Sequence, residues 1–106
     1  MDTNLTNRGT THVINDATGD IEIKAAVAGK GWICTYLYLE VSQASDLTFK
    51  SGSTAISGIV AGATSGQAFH CNGEPFLRNK LLGESFVVNN SAGEIDGWAY
   101  MVETDQ

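Results

Sequence analysis

The chain has 106 residues, 42% of them hydrophobic and 17% charged, with twelve Gly, one Pro and two Cys; that length supports one buried core and excludes two domains. Twelve Asp plus Glu against six Lys plus Arg leave a formal charge of -6, which argues against a nucleic-acid surface built on phosphate neutralisation. Apolar runs are broken by Gly, Lys or Ser well short of the ~20 residues that a membrane helix needs, and the polar start Met1–Thr11 lacks the apolar stretch of a signal peptide.

Met1–Gly19 is mostly Asn, Thr, Asp and Gly and reads as an N-terminal arm, leaving 20–106 as the folded domain. Within the arm, His12-Val13-Ile14 is a short strand able to dock on a sheet edge or a neighbouring chain, and Asp16–Gly19 is turn chemistry. From Asp20 the pattern takes period two: Ile21 and Ile23 share one face, Glu22 and Lys24 the other. After the Gly29-Lys30-Gly31 reversal comes the clearest strand, Trp32–Ser42. Strict alternation there places Ile33, Leu37, Leu39 and Val41 on the core face, and Trp32, Cys34, Tyr36, Tyr38 and Glu40 on the other. So aromatic an outer face implies a cover: a second sheet, the arm or another subunit.

Leu47–Lys50 and Ala55–Val60 are short strands joined by the Ser51–Thr54 hairpin connection. Ala61–Gly66 turns the chain, Gln67–Cys71 is a further strand, and Asn72-Gly73 is a two-residue turn followed by Pro75. Phe76–Gly83 fits either two turns of helix or an irregular loop. Ser85–Asn89 and Ile95–Val102, joined by an Asn90–Gly93 turn, are expected to form a closing hairpin with Trp98, Tyr100 and Val102 on one face. About eight short strands with turn residues between them predict an all-β fold, an antiparallel β-sandwich or jelly roll.

The residues offer little chemistry. Cys34 and Cys71 form no CxxC pair, and without an export signal two buried thiols are favoured over a disulfide. His70-Cys71, with Glu74 and His12, is the one cluster resembling a metal or nucleophile site, but adjacent strand residues point to opposite faces. Asp16, Asp20, Glu94 and Asp96 lack the spacing of a calcium loop, and no GxSxG, HExxH, P-loop or GxGxxG occurs. The chain is therefore read as a non-enzyme with no catalytic, cofactor or metal residues. The aromatic residues Trp32, Tyr36, Tyr38, Trp98 and Tyr100 are read as packing at a subunit interface.

Ala25–Gly62, above all LTFKSGSTAISG at Leu47–Gly58, resembles small tailed-phage structural proteins, in which a Gly-Lys turn, a long strand and an FKSGST hairpin follow one another. The stretch GESFVVNNSAGEIDGWAYMVE is similar to the closing hairpin of the same family, so that the likeness spans residues 20–103. The segment HCNGEPFLRNKLLGE departs from it, standing where a loop with Pro and Trp is expected. The resemblance implies a jelly-roll capsid decoration (cement) or head-fibre protein. Such a protein is a homotrimer on the outer capsid surface of the virion, made in the host cytoplasm.

Two functions follow as expectations. The first is a capsid decoration protein that binds the major capsid protein and itself, with neither nucleic acid nor membrane as partner. Its capsid contacts are Asn4, Leu5, Arg8, His12, Val13 and Ile14 of the arm together with one end of the domain. The alternative is a host-recognition module of a head or tail fibre that binds glycans through exposed Trp98 or Trp32.

Overall fold

The computed structural model describes residues 9–62, 66–70 and 77–105. Those residues are all-β and contain no helix. In chain order the strands are β1 (Gly9–Lys24), β2 (Gly31–Val41), β3 (Ser45–Ser51), β4 (Thr54–Ala55), β5 (Val60–Gly62), β6 (Gln67–His70), β7 (Leu77–Arg78) and β8 (Phe86–Thr104). All pairings are antiparallel, within one sheet.

The sheet folds over on itself. Nineteen residues of straight strand would span about 63 Å, yet the longest dimension of the molecule is 43 Å, so β8 must bend. It bends at Asn90–Glu94, where the Asn90 side chain donates to the Gly93 carbonyl at 2.8 Å and Gly93 takes a positive φ of 71°. β1 follows the same corner alongside it, with register shifts between Ile14 and Gly19. Before the corner, β8 lies between β1 and β3; beyond it, β8 lies between β1 and β2. One layer is thus β1–β8–β3 with β4 and β5, and the other is β1–β8–β2 with β6 and β7.

The two layers meet through aromatic rings, Trp32 on Phe86 at 4.5 Å and Phe49 edge-on to Phe69 at 6.1 Å. Leu37, Leu39, Leu47, Val88, Ile95 and Met101 fill the space between them. Each such side chain stabilises the fold by about 1.5–3 kcal/mol, so this sandwich-like core carries the protomer without a helix. One end of the sandwich is the corner; the other, where β1 ends, β2 begins and β8 begins and ends, is open.

Several expectations need correction. The arm is not free over residues 9–19: Gly9 to Gly19 pair with β8 from Val102 to Asn90, and Ile14 is buried in the core. The covering β8 ladder, far away in sequence, supplies the apolar surface that this polar stretch lacks. Ser85–Asn89 and Ile95–Val102 are not a hairpin but the two limbs of β8, which pair with β3 and β2 respectively. The run Ala55–Val60 is broken after Ala55, and of the segment expected at Phe76–Gly83 the described residues, from Leu77 on, hold the short β7 and then a loop. Lys24 is not on a wet face either: a register shift after Glu22 turns it inward, where its Nζ lies 3.4 Å from Glu103 Oε1.

β2 carries the largest correction. Its pairing with β8 shifts register between Cys34 and Tyr36, so Thr35 is the extra residue of a β-bulge. An extra residue reverses the parity of a strand. Before the bulge Trp32 and Cys34 face the core; after it Leu37, Leu39 and Val41 do. Ile33 stands on the half-covered side with Tyr36 and Tyr38.

Candidate functional site

The outer faces of the two layers differ chemically. Opposite β3, the outer face of β1 and β8 carries Asp20, Glu22, Asn89 and Val87, with Thr48 and Lys50 of β3 in register. Asp20 accepts from the Asn89 side chain at 2.8 Å and from Lys50 Nζ at 3.4 Å. The Asn89 bond, followed by the Lys50 bond and charge, holds its carboxyl below the ordinary range. This is a solvated polar surface that needs no cover.

Over β2 the outer face is aromatic. The cross-strand register aligns Val13, Trp98, Tyr38 and Ala68 in one row across β1, β8, β2 and β6, and Thr11, Tyr100 and Tyr36 in the next. Trp98 stacks on Tyr38 at 4.8 Å and lies 6.3 Å from Tyr36 at a shallow angle. It keeps 42% of its surface exposed, and Val13 beside it keeps 78%. Tyr38 donates from its hydroxyl to Glu40 Oε2 at 3.0 Å; that bond, then desolvation, pushes the phenol up. Toward the corner, Glu40 stands directly opposite Asp96, a like-charge pairing that leaves this rim strongly acidic.

Charge is also divided along the long direction. The strand ends and turns at the corner hold Asp20, Glu40, Asp46, Glu94 and Asp96. Among the described residues all the cations, Lys24, Lys30, Lys50, Arg78 and Lys80, lie toward the open end. Glu22, Glu84, Glu103 and Asp105 share that end, so these charges come to -5 at the corner and +1 at the open end (five cations less four carboxylates), with the Asp20–Lys50 ion pair bridging the two.

Of the expected interface residues, the fold brings Tyr36, Tyr38, Trp98 and Tyr100 together on one face. Trp32 is not with them: the bulge turns it inward, and it is 1% exposed. Of the expected shell contacts, Asn4, Leu5 and Arg8 lie outside the described residues, as do Cys71, Glu74 and the Asn72-Gly73 turn. Ile14 is buried, Val13 is exposed on the aromatic face, and His12 is half-buried. Cys34 is buried, with its Sγ 3.5 Å from the Tyr36 carbonyl. No group of three or more metal-ligating side chains occurs among the described residues. Sequence reading did not place Val13 on the aromatic face; it takes the β1–β8 pairing to bring it beside Trp98.

His12 faces the seam between the two limbs of β1. Desolvation, then the charge of Lys24, lowers its imidazole pKa from 6.5, against a hydrogen bond to the Ile23 backbone that raises it. Lys24 is itself paired with Glu103 across the seam. The folded protein therefore keeps His12 neutral in a range where the unfolded chain binds a proton. Stability is complete above pH 6.5 and falls as pH drops through that value toward the folded pKa. Urea unfolding between about pH 7.5 and 5.5 is expected to show this decline in the wild type and a flatter dependence in His12→Gln. Equal slopes would mean that the imidazole is free to ionise in the fold.

Comparison with known proteins returns no family model, no curated protein and no solved structure that matches the chain.

Proposed function

We propose that the chain is a capsid decoration protein of a tailed phage, a jelly-roll module that associates into homotrimers and binds the major capsid protein on the outer surface of the shell. One observation carries the reading: two outer faces of one small sandwich, one polar and self-satisfied, the other aromatic with Trp98 and Val13 uncovered. The resemblance over residues 20–103 supplies the setting, and the acidic corner suits a surface turned away from packaged DNA. Sister copies cover the aromatic face, and many copies binding only the assembled shell stabilise it by mass action.

The share of Trp98 left exposed, 42%, corresponds to about 100 Å² and about 2.5 kcal/mol per copy when covered. Trp98→Ser is therefore expected to weaken self-association by at least about tenfold while leaving the protomer folded, as read by mass in solution and circular dichroism. The wild type is expected to have three times the protomer mass of 11.2 kDa. It is also expected to bind empty shells of the phage that encodes it at saturable sites and to raise their disruption temperature. A monomer at high concentration removes the trimer, and absence of shell binding removes the function.

The fibre-tip alternative draws on the same exposed Trp98, whose ring with Tyr38 beside it offers a stacking platform for a sugar. It is favoured instead if host-envelope polysaccharide quenches Trp98 fluorescence in the assembled oligomer.

A further inference from the structure

The segment after β7 is a loop with leucines at its tip and a polar scaffold beneath it. Asn79 is buried and continues the pairing with β2: its N–H donates to the Trp32 carbonyl at 3.1 Å and its Oδ1 accepts from the Trp32 N–H at 2.9 Å. The chain then crosses to the other layer, where the Lys80 N–H donates to Ser51 Oγ at 2.9 Å. Glu84 Oε1 accepts from Ser51 Oγ at 2.6 Å and from the Leu81 N–H at 3.2 Å. The Glu84 carbonyl accepts from the Trp32 indole at 3.0 Å, and the Gly83 N–H donates to the Lys30 carbonyl at 2.8 Å. A loop tied to both layers has little freedom to tuck its side chains away, yet Leu81 is 63% and Leu82 48% exposed. Val27, in the adjoining turn closed by the Lys30 N–H to Val27 carbonyl bond at 3.0 Å, is also exposed.

Two further facts single out this end. Gly9 pairs with Val102 there, so the first described residue lies at the open end. The described cations gather toward it too, Lys80 standing exposed beside Leu81, whereas the corner holds carboxylates, of which Asp20 is paired with Lys50. A partner with an acidic surface is repelled by the corner and meets near-neutral charge at the open end.

We propose that the open end, with Leu81, Leu82 and Val27 as preformed apolar contacts and Lys80 beside them, is the surface that seats on the shell, and that its counterpart is a protein surface with an apolar pocket edged by carboxylates. The assignment rests on the shell-binding reading and adds an orientation to it: open end down, acidic corner outward. A pinned loop binds without an ordering cost, which is what a fitted protein pocket exploits.

The test uses the full chain, empty shells of the encoding phage, and vesicles of phosphatidylglycerol and phosphatidylethanolamine. Leu81→Ser/Leu82→Ser is expected to keep the wild-type mass and melting temperature, because both side chains are exposed, and to lose at least about tenfold in shell affinity. Lys80→Glu, which alters only charge, is expected to weaken binding too, and Glu94→Gln at the corner is expected to bind like the wild type. If both open-end variants bind shells like the wild type, the orientation is wrong while the shell reading stands. If the folded wild-type oligomer does not bind shells at all, the shell reading fails and this assignment with it. If the wild type instead floats with vesicles and the double variant does not, the leucines anchor to lipid and the protein counterpart is overturned.

Discussion

Gly97→Ala is expected to destabilise the protomer by about 3–5 kcal/mol, a large part of the stability of a small domain. A Cβ at this position would stand 1.9 Å from the Tyr38 carbonyl oxygen and 3.1 Å from the Leu39 Cα. Both atoms belong to the backbone of the neighbouring strand, so no rotamer change relieves the clash. The residue also has φ 153°, in a region that side chains avoid. The β8–β2 ladder must open around the Leu39–Gly97 pair, losing hydrogen bonds worth about 1 kcal/mol each in addition to the strain. Gly29→Ala is the control: φ is 76° but nothing lies within 4 Å of an added methyl, so only backbone strain of about 1 kcal/mol is expected. Urea unfolding of the two variants measures the difference. Equal losses would place the two strands further apart at Gly97.

Gly97 also illustrates what was legible in the chain and what was not. The strand at Leu47–Lys50, the hairpin at Ser51–Thr54 and the all-β class follow from local chemistry, and the fold has them: Lys50 pairs with Ala55 and Ser51 with Thr54 across Gly52. A close approach between strands depends on which strands pair, and β1 and β8 are separated by most of the chain. That pairing turned the expected arm from Gly9 onward into an edge strand and set Val13 beside Trp98. The Asn90–Gly93 turn was visible, but a corner and a hairpin use the same residues, and only the partners of the two limbs distinguish them. The bulge at Thr35 left no trace in the sequence, because WICTYLYLEV places apolar or aromatic side chains at most positions of both parities. The loop leucines were visible as apolar residues, but the network of buried Asn79 and Ser51 with half-buried Glu84 that holds them outward joins segments about 30 residues apart in the chain.

Trp32→Ala is expected to cost about 3–5 kcal/mol, and it separates the two tryptophans by role. Trp32 is 1% exposed, its ring lies 4.5 Å from that of Phe86, and its indole N–H donates to the Glu84 carbonyl. Truncation opens a cavity between the layers and leaves that carbonyl without its donor. Trp32→Phe retains most of the volume and loses the hydrogen bond, for which about 1–2 kcal/mol is expected. Trp98→Ser, on the outer face, is expected to change the oligomer and not the protomer. The pattern inverts under strict alternation along β2: Trp32→Ala would then melt like the wild type and dissociate the oligomer, and the Thr35 bulge would be wrong. Because Glu84 holds the Leu81 N–H as well, a folded Trp32→Phe protein should also seat less firmly on shells, with its loop from 79 to 85 exchanging amide hydrogens faster. That coupling makes the inward turn of Trp32 the means by which the core fixes the shape of the open end.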